Sequence, residues 1–206
     1  MPAARYQRRK QDRPAELTDA ALQEFAANGY DATPVEAVAR RAGVSKGLLY
    51  LYFKTKEELF KAVVRRFIAP RVDSLIERID SSELGVEDFL RGPFLEMTRE
   101  LPRSRVRHLL RLMIAEGPKH PDLTRWYWDE VLSKGLSALQ RLIRRGVAAG
   151  EIRPSAIEQF PQLLLSPVMF SVVWTIVMQA HHKLDTDAFI AAHIDLVLQA
   201  IKKEQD

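Results

Sequence analysis

The chain has 206 residues, enough for a small domain and a larger one, and its 47% hydrophobic and 28% charged residues are typical of a globular protein rather than a disordered one. It contains no cysteine, which excludes a disulfide framework, thiolate metal sites and cysteine nucleophiles. No apolar stretch or small-residue cleavage site follows the basic residues at the start, so we expect no export signal and a cytoplasmic location.

The net charge of +4 is unevenly distributed along the chain. Residues 1–70 hold 13 Lys and Arg against 8 Asp and Glu, a balance of +5, whereas residues 71–206 hold 18 against 19, a balance of −1. The first third is therefore the part suited to bind phosphate groups. A solvated basic surface without a partner would show the same balance, so charge alone does not decide.

Apolar residues recur at helical spacing along almost the whole chain, and no segment alternates as a strand does. We therefore predict an all-α fold of nine helices, four before residue 80 and five after it. In chain order, the predicted helices span about 14–28, 34–42, 46–51, 55–79 with a break near Ala69 and Pro70, 86–101, 104–116, 122–149, 157–180 and 185–203.

Two short sequences predict how helices begin in the first third. TPVE at 33–36 and TKEE at 55–58 each place a hydroxyl at the N-cap and a glutamate three residues later, which is a capping box. Ser45 can cap the short helix between them, after a turn of about three residues that contains Gly43. Two capped helices on so tight a turn form a unit whose second helix can enter a DNA major groove.

Hydroxyl and ammonium donors are concentrated on this second helix and its flanks. They are Ser45, Lys46, Tyr50, Tyr52, Lys54 and Lys56. Such groups bind phosphates, and an aromatic face can pack against a thymine methyl group. Gly47 would let the helix approach the DNA backbone closely. A lone tyrosine more often packs in a core, but two tyrosines bracketed by three lysines favour DNA.

The same region resembles the TetR family of repressors. The residues that carry the resemblance are TP at 33–34, Ala39, AGVSKG at 42–47, LY at 49–50, YFK at 52–54 and KEEL at 56–59. The resemblance covers about residues 14–64, and beyond them it extends to the number and order of helices. IAEGP at 114–118 and the glycines at 146 and 150 are similar to a subgroup with AefR-like C-terminal regions.

The resemblance implies roles for particular residues. It makes Thr33, Tyr52 and Lys56 phosphate clamps, and it places Ser45, Lys46, Gly47 and Tyr50 on the groove-facing side of the third helix. Leu48 and Leu51 depart from the family pattern, because polar residues are frequent at these positions. We therefore expect base recognition here to depend more on apolar contact, and the operator sequence stays open.

A basic arm precedes the first predicted helix, with Arg5, Arg8, Arg9, Lys10 and Arg13. It could lie along the DNA backbone or in the adjacent minor groove, or it could be a solubilising tail.

Two patterns imitate other functions. GVSKG at 43–47 matches the nucleophile elbow of α/β-hydrolases, but a predicted helix precedes Ser45 and no sheet is predicted to carry a triad. The five histidines show no metal-ligand spacing. We therefore expect no enzyme, no metal site and no other cofactor.

The stretch 159–180 has no charged residue and is long enough to cross a bilayer. Because Pro161, Pro167 and several polar residues interrupt it, we predict a helix buried on all faces instead, one side lining a cavity and another packing against a second subunit. The last helix carries an apolar stripe from Phe189 to Ile201. Together these two helices predict a four-helix homodimer interface.

Large apolar residues beyond residue 90 could line an effector cavity, with a few polar groups as anchors. The candidates are Phe94, Met97, His108, Met113, Glu116, Trp126, Phe170, Trp174 and Met178. Packing in the core is the commoner role for any single one of them. The resemblance implies that an effector bound there moves the fourth helix and changes the spacing of the two DNA-binding domains.

The sequence therefore predicts a ligand-responsive transcriptional regulator, a repressor released from a palindromic operator by a small apolar effector. We expect a DNA-binding domain at 1–58, with its motif at about 34–53, and an effector-binding and dimerisation domain at 59–206. Two alternatives stay open: an activator rather than a repressor, and a helical ligand-binding or protein-interaction module without sequence-specific DNA binding.

Overall fold

The computed structural model describes residues 2–203, with side chains from Asp12 onwards. Within this part of the chain there is no strand, only an isolated bridge between Ile152 and Lys202. Contacts divide the chain into two compact units. The first comprises the residues up to Pro70 together with His108–Arg125, and the second comprises Arg71–Arg107 and the residues from Trp126 on.

Four helices open the chain: α1 Pro2–Asn28, α2 Val35–Arg41, α3 Lys46–Tyr52 and α4 Lys56–Phe67. The predicted face of α1 is buried, with Leu17, Ala21 and Phe25 fully inaccessible to solvent. The Phe25 ring packs against Tyr30 and Phe60, at centroid distances of 5.5 and 5.8 Å. These three aromatic side chains form the centre of the first unit's core.

The helix α1 starts earlier than predicted, and Pro14 lies inside it. A proline within a helix costs one backbone hydrogen bond, but the segment before it is rich in Arg, Gln and Lys, which favour helix. The predicted end is confirmed. Gly29 follows with φ +83°, a left-handed conformation that glycine adopts without strain, and its N–H donates to the Phe25 carbonyl.

The predicted break near Pro70 is also confirmed. Helix α4 ends at Phe67, Ile68 is its C-cap, and α5 spans Ala69–Ser81. Proline has no N–H to donate, so it is tolerated in the first turn of α5 and would interrupt the interior of a longer helix.

Seven more helices follow: α6 Val86–Phe89, α7 Leu95–Glu100, α8 Val106–Glu116, α9 Pro121–Tyr127, α10 Ser133–Ala148, α11 Gln162–Val177 and α12 Thr186–Ile201. A π-helical turn at Leu90–Phe94 joins α6 to α7, and another at Trp128–Leu132 joins α9 to α10. With α4 and α5 counted as one interrupted helix, and each joined pair as one, the described residues form the nine predicted helices.

The core of the second unit brings α5, α6, α10, α11 and α12 together. Its fully buried residues include Ile79, Phe89, Leu139, Leu164 and Ile194. Gly146 lets α10 approach α6 closely, because a Cβ there would overlap the side chain of Val86. The shape of this core is therefore set by close helix contacts as well as by apolar burial.

Helix α11 is buried on one side within its own chain, and the side predicted to pack against a second subunit is exposed. Its inner side, with Leu164, Val168 and Val172, lies in the second unit. Six apolar side chains on the other side are exposed, and we call them the α11 face: Leu163, Met169, Phe170, Val173, Ile176 and Val177. Among residues 2–203, none of the helices combines the length and apolarity that crossing a membrane requires.

Candidate DNA-binding surface

A four-residue turn, 42–45, connects α2 to α3, one residue more than predicted. Helix α2 ends at Arg41, and Gly43 takes φ +66° while its N–H donates to the Arg40 carbonyl. The Val44 N–H donates to the Ala39 carbonyl at 2.9 Å, which closes the turn. Ser45 then caps α3, as predicted, by accepting a hydrogen bond from the Leu48 N–H at 3.2 Å. Backbone hydrogen bonds therefore determine how α3 follows α2.

A buried carboxylate joins α2 to α1. The Arg41 guanidinium donates to Glu24 Oε1 at 2.5 Å and to Gln23 Oε1 at 3.0 Å. Glu24 also accepts from the Asn28 amide, at 3.0 Å. Since a buried charge needs partners, Glu24 requires Arg41, and this pair helps to hold α2 in place.

The predicted capping box at 33–36 is wrong. Pro34 is the N-cap of α2 and no side chain caps this helix. The Thr33 side chain is 1% exposed, and its hydroxyl donates to the Gly29 carbonyl at 2.6 Å and to the Glu24 carbonyl at 3.2 Å. The Thr33 hydroxyl therefore binds one carbonyl near the end of α1 and one just after that helix, instead of the first N–H groups of α2.

The predicted cap at Thr55 is confirmed, with one difference. Its hydroxyl accepts from the Glu58 N–H at 3.0 Å, as a capping box requires. The Glu58 carboxylate, however, accepts from the Lys54 N–H at 2.6 Å, one residue before the cap. Side chains thus accept hydrogen bonds from backbone N–H groups at the start of α4, directly after α3.

Lys56 is held at the end of α1 rather than extended into solvent. Its ammonium donates to the carbonyls of Tyr30 and Asp31, each at 3.0 Å, and to that of Thr33 at 3.4 Å. It also lies 4.7 Å from the centre of the Tyr30 ring. Burial, with the negative charges of Glu57 and Asp31, raises the pKa of Tyr30 to about 12.

Helix α3 buries a single side chain, Leu49, and turns the rest towards solvent to different degrees. Leu51 is 72% exposed, and a Cβ on Gly47 would meet no atom within 4 Å. The exposed and partly exposed residues form what we call the α3 surface: Ser45, Lys46, Gly47, Leu48, Tyr50, Leu51, Tyr52 and Lys54.

Lys46 is the most strongly paired side chain of the α3 surface. Its ammonium forms an ion pair with Glu36 of α2 and lies 5.8 Å from the centre of the Tyr50 ring. The hydrogen bond between Lys46 and Glu36 lowers the pKa of Glu36 and raises the pKa of Lys46. Both side chains are exposed, so the pair can exchange with solvent or with another anion.

The structure thus brings eight of the nine predicted DNA contacts to one helix and its flanks, and it places Thr33 in the interior. Arg13 of the predicted arm pairs with Glu16 at 2.7 Å. The side chains of Arg5, Arg8, Arg9 and Lys10 lie outside the described residues.

The predicted effector residues are divided between the two units. In the second unit, Phe94 is buried in the core with Met97 packed against it, and Trp126 is partly buried. Phe170 contacts Trp174 and Phe189, at centroid distances of 5.6 and 5.1 Å. Met178 is exposed just after α11. These side chains therefore occur both in the core and on the surface.

The three remaining candidates, His108, Met113 and Glu116, belong to the first unit. Met113 and Glu116 line a cavity of about 10 Å³ with Tyr30 and His120. This is room for about one water molecule. The sequence did not predict that Tyr30 or His120 lines this cavity, because no helical spacing relates either residue to Met113.

Comparisons with known proteins agree with this architecture. Residues 17–63 match the family described as bacterial regulatory proteins, tetR family, and residues 88–197 match the tetracyclin repressor-like C-terminal domain. The fatty acid metabolism regulator protein of Bacillus subtilis (strain 168) is 25% identical over 195 residues, which are 93% of this chain and 98% of that protein.

Two solved structures are also similar. The complex of triclosan with SmeT, the repressor of a multidrug efflux pump of Stenotrophomonas maltophilia, has a TM-score of 0.77 and 25% identity, covering 93% of this chain and 92% of that one. FadR from Bacillus subtilis, in complex with stearoyl-CoA, has a TM-score of 0.72 and 23% identity, covering 91% and 98%.

The C-terminal match alone spans more than half of the chain, and the N-terminal match contains α2 and α3. These are matches to regulators rather than enzymes, and they favour DNA binding over the alternative of a helical module without it. The chain belongs to the TetR family and is a DNA-binding transcriptional regulator.

Proposed function

We propose that this protein is a homodimeric repressor that binds a palindromic operator through the α3 surface and leaves it when a largely apolar small molecule binds. The observation that carries the proposal is the α3 surface itself. It is a short helix, capped at both flanks and set on a closed turn, that exposes hydroxyl and ammonium donors around an open Gly47.

The side chains divide by the contacts that they can make. Ser45, Lys46, Gly47, Leu48 and Tyr50 would face the major groove, whereas Tyr52, Lys54 and Lys56 would contact phosphates. Leu48 supplies an apolar contact, suited to a thymine methyl group. In the major groove Lys46 would exchange its Glu36 partner for an acceptor on DNA.

Two of the residues proposed to contact phosphates, Thr33 and Lys56, already form hydrogen bonds within the free protein. Thr33 would reach a phosphate only after its hydroxyl leaves the carbonyls of Gly29 and Glu24. Lys56 can approach one while it keeps part of its contacts at the end of α1, because an ammonium has three protons to donate. We therefore rank Lys56 above Thr33 as a phosphate contact.

The α11 face supports the proposed dimer. Leu163, Phe170, Val173 and Val177 follow each other at intervals of seven, three and four residues, the spacing of a helix-packing seam. Leu196 of α12 is also 64% exposed. Exposed apolar residues in such a stripe are typical of an interface, and two helices from each chain would form a four-helix contact.

The effector proposal is supported by two ligands of similar proteins. Triclosan, bound to SmeT, is largely apolar, and stearoyl-CoA, bound to FadR, carries a long apolar acyl chain on a charged coenzyme A group. We propose an apolar effector of this kind, contacting some of the candidates Phe94, Met97, His108, Met113, Glu116, Trp126, Phe170, Trp174 and Met178. Functionally we place the DNA-binding domain at 1–58 and the effector and dimerisation domain at 59–206. Since a DNA-binding repressor must reach its operator, we place the protein in the cytoplasm.

Fluorescence anisotropy tests the proposal. Full-length protein is titrated against palindromes taken from the DNA beside its own gene and against scrambled DNA, at salt concentrations between about 50 and 200 mM. A protein that makes roughly six phosphate contacts loses about a thousandfold in DNA affinity when salt rises over this interval. We expect binding at least about a thousandfold tighter to one palindrome than to scrambled DNA. Equal affinity for both would exclude an operator-specific regulator.

A second series adds candidate effectors to the preformed complex. Acyl-CoA thioesters of increasing chain length and triclosan are compared with free coenzyme A, which lacks the apolar chain. Release of DNA by an acyl-CoA or by triclosan, and not by coenzyme A, is the expected result. Release by coenzyme A alone would contradict an apolar effector.

A further inference from the structure

Three potential metal ligands from separate elements meet in the first unit. Asp31 lies in the loop between α1 and α2, Glu116 is the last residue of α8, and His120 directly precedes α9. One ligand atom of each lies within 4.8 Å of the other two. His120 Nε2 and Asp31 Oδ1 are 2.8 Å apart.

The surroundings hold two of these side chains in position. The Tyr30 ring packs edge-on against the His120 ring, with centroids 4.8 Å apart and an interplanar angle of 77°. Gly29 leaves room for the Glu116 carboxylate, because a Cβ there would lie 3.0 Å from Oε1. Any residue other than glycine at position 29 would therefore crowd the Glu116 carboxylate.

One imidazole and two carboxylates form a donor set that suits zinc and related divalent ions. Donors bound to one tetrahedral ion at about 2.1 Å lie roughly 3.4 Å apart. His120 Nε2 and Asp31 Oδ1 would separate by roughly half an ångström, and no pair would have to close by more than roughly 1.4 Å. Side-chain rotations provide movements of this size. The partial exposure of all three residues leaves a fourth position open to water.

One lysine pairs with a carboxylate of this cluster while no metal is bound. Lys119 donates to Glu116 Oε2 at 3.0 Å, but this lysine is 61% exposed and can turn into solvent. Lys56 contacts the carbonyl of Asp31 rather than its carboxylate. A divalent ion would thus displace Lys119 and leave the contacts of Lys56 unchanged.

We propose that Asp31, Glu116 and His120 bind a divalent ion of the zinc class, which ties the loop before α2 to the end of α8. Because that loop leads directly into the helix-turn-helix, the bound ion changes operator affinity. The metal site itself does not depend on the proposed function. The effect of the metal on DNA binding does rest on the proposed function.

Zinc titration of the full-length protein, without an affinity tag, tests the site. A chromophoric chelator competes for zinc, and Co²⁺ serves as a spectroscopic probe of an imidazole ligand. We expect one ion per chain in the wild type and at least about tenfold weaker binding in His120→Gln and Asp31→Asn. Both variants keep a group that can hydrogen-bond at the changed position, and their thermal melting without metal shows whether they fold.

The matched control is His182→Gln, which removes an exposed histidine of the second unit and should leave zinc affinity unchanged. Zinc binding by His120→Gln equal to the wild type, or loss of binding in the control instead, would overturn the proposal. So would the absence of zinc binding by the wild type at micromolar concentration, which leaves His120 and Asp31 as a structural hydrogen bond only.

Operator titrations with and without zinc separate this proposal from the proposed function. Protein that binds no palindrome either with or without zinc contradicts the proposed function, whatever the zinc titration shows. Metal-free protein that binds its operator with an affinity independent of bound zinc contradicts the regulatory part of this inference alone. We expect a change of at least about fivefold, the lower end of allosteric coupling, that disappears in His120→Gln.

Discussion

The α3 surface and the α11 face differ in both chemistry and size. On α3, seven residues bury one side chain and expose Lys46 and two tyrosines beside two leucines, whereas α11, with sixteen residues, buries one side and exposes six apolar side chains on the other. Hydrated hydroxyl and ammonium groups cost nothing in water, but exposed apolar surface costs about 25 cal/mol per Å². The α3 surface is therefore stable without a partner, and the α11 face favours one.

The two regions are also held by different interactions. Local hydrogen bonds at Ser45, Gly43 and Thr55 position α3, whereas α11 depends on contacts with residues far away in sequence, such as Phe89 and Ile194 in the same core. The difference explains why α3 can be short and why α11 needs length. It also leads to predictions that separate DNA binding, association and folding.

The largest expected effect concerns the core beneath the α3 surface. Phe25→Ala removes a fully buried ring that contacts Tyr30 and Phe60, and it should lower the free energy of unfolding by about 3–5 kcal/mol. Urea unfolding followed by circular dichroism measures the loss. The control is Leu51→Ala on the exposed side of α3, for which we expect a change below about 0.5 kcal/mol. Similar losses in both variants would contradict the burial that we describe.

The second prediction concerns the α11 face. Val173→Glu places a charge in the middle of the apolar stripe, so the proposed dimer should weaken by about 2 kcal/mol or more, roughly thirtyfold. Sedimentation velocity over a range of concentrations measures association. Leu51→Glu is the matched control, because it adds the same charge to an exposed leucine of α3. A dimer that tolerates Val173→Glu and dissociates with Leu51→Glu would reverse the roles of the two surfaces.

The third prediction concerns phosphate contacts by the α3 surface. Lys54→Gln removes one exposed ammonium, so operator affinity should fall by about 1.5 kcal/mol, roughly tenfold. The slope of log affinity against log salt should decrease by about one. Lys134→Gln on α10, also exposed, should change neither quantity. An unchanged slope for Lys54→Gln would show that Lys54 does not contact a phosphate.

The smallest expected effect compares two helix caps. Ser45 caps α3 and Asp185 caps α12, each accepting hydrogen bonds from the first backbone N–H groups. Replacing either with alanine should cost about 1 kcal/mol of stability. Ser45→Ala alone should also weaken operator binding, since this cap positions the α3 surface. Thermal melting and anisotropy titration make the comparison, and equal operator affinity in the two variants would count against that role.

Features that depend on neighbouring residues could be predicted from the sequence. The cap residues Ser45 and Thr55, the glycines at 29 and 43, and the break before Pro70 all lie where the pattern placed them. Each depends on the backbone conformation of a few adjacent residues, which local chemistry determines. The family assignment also rests on this local region and on its match to known regulators.

Thr33 shows where such local reasoning fails. TPVE at 33–36 has the form of a capping box, yet the hydroxyl binds the carbonyls that end α1. A hydroxyl can donate to one helix end and accept at another, but Thr33 is placed against the end of α1, and the local pattern does not indicate which end is nearer. The uncharged stretch 159–180 raises a similar ambiguity, because residues of a core and of an interface are equally apolar.

The sequence by itself determined the nine helices, the caps around α3 and the concentration of donors on that helix, because each follows from residues within one or two turns of each other. Tertiary structure alone decided that Thr33 is buried, that half of α11 is exposed, and that Asp31 meets Glu116 and His120. These outcomes depend on how distant segments pack, and no spacing within one segment reports such contacts.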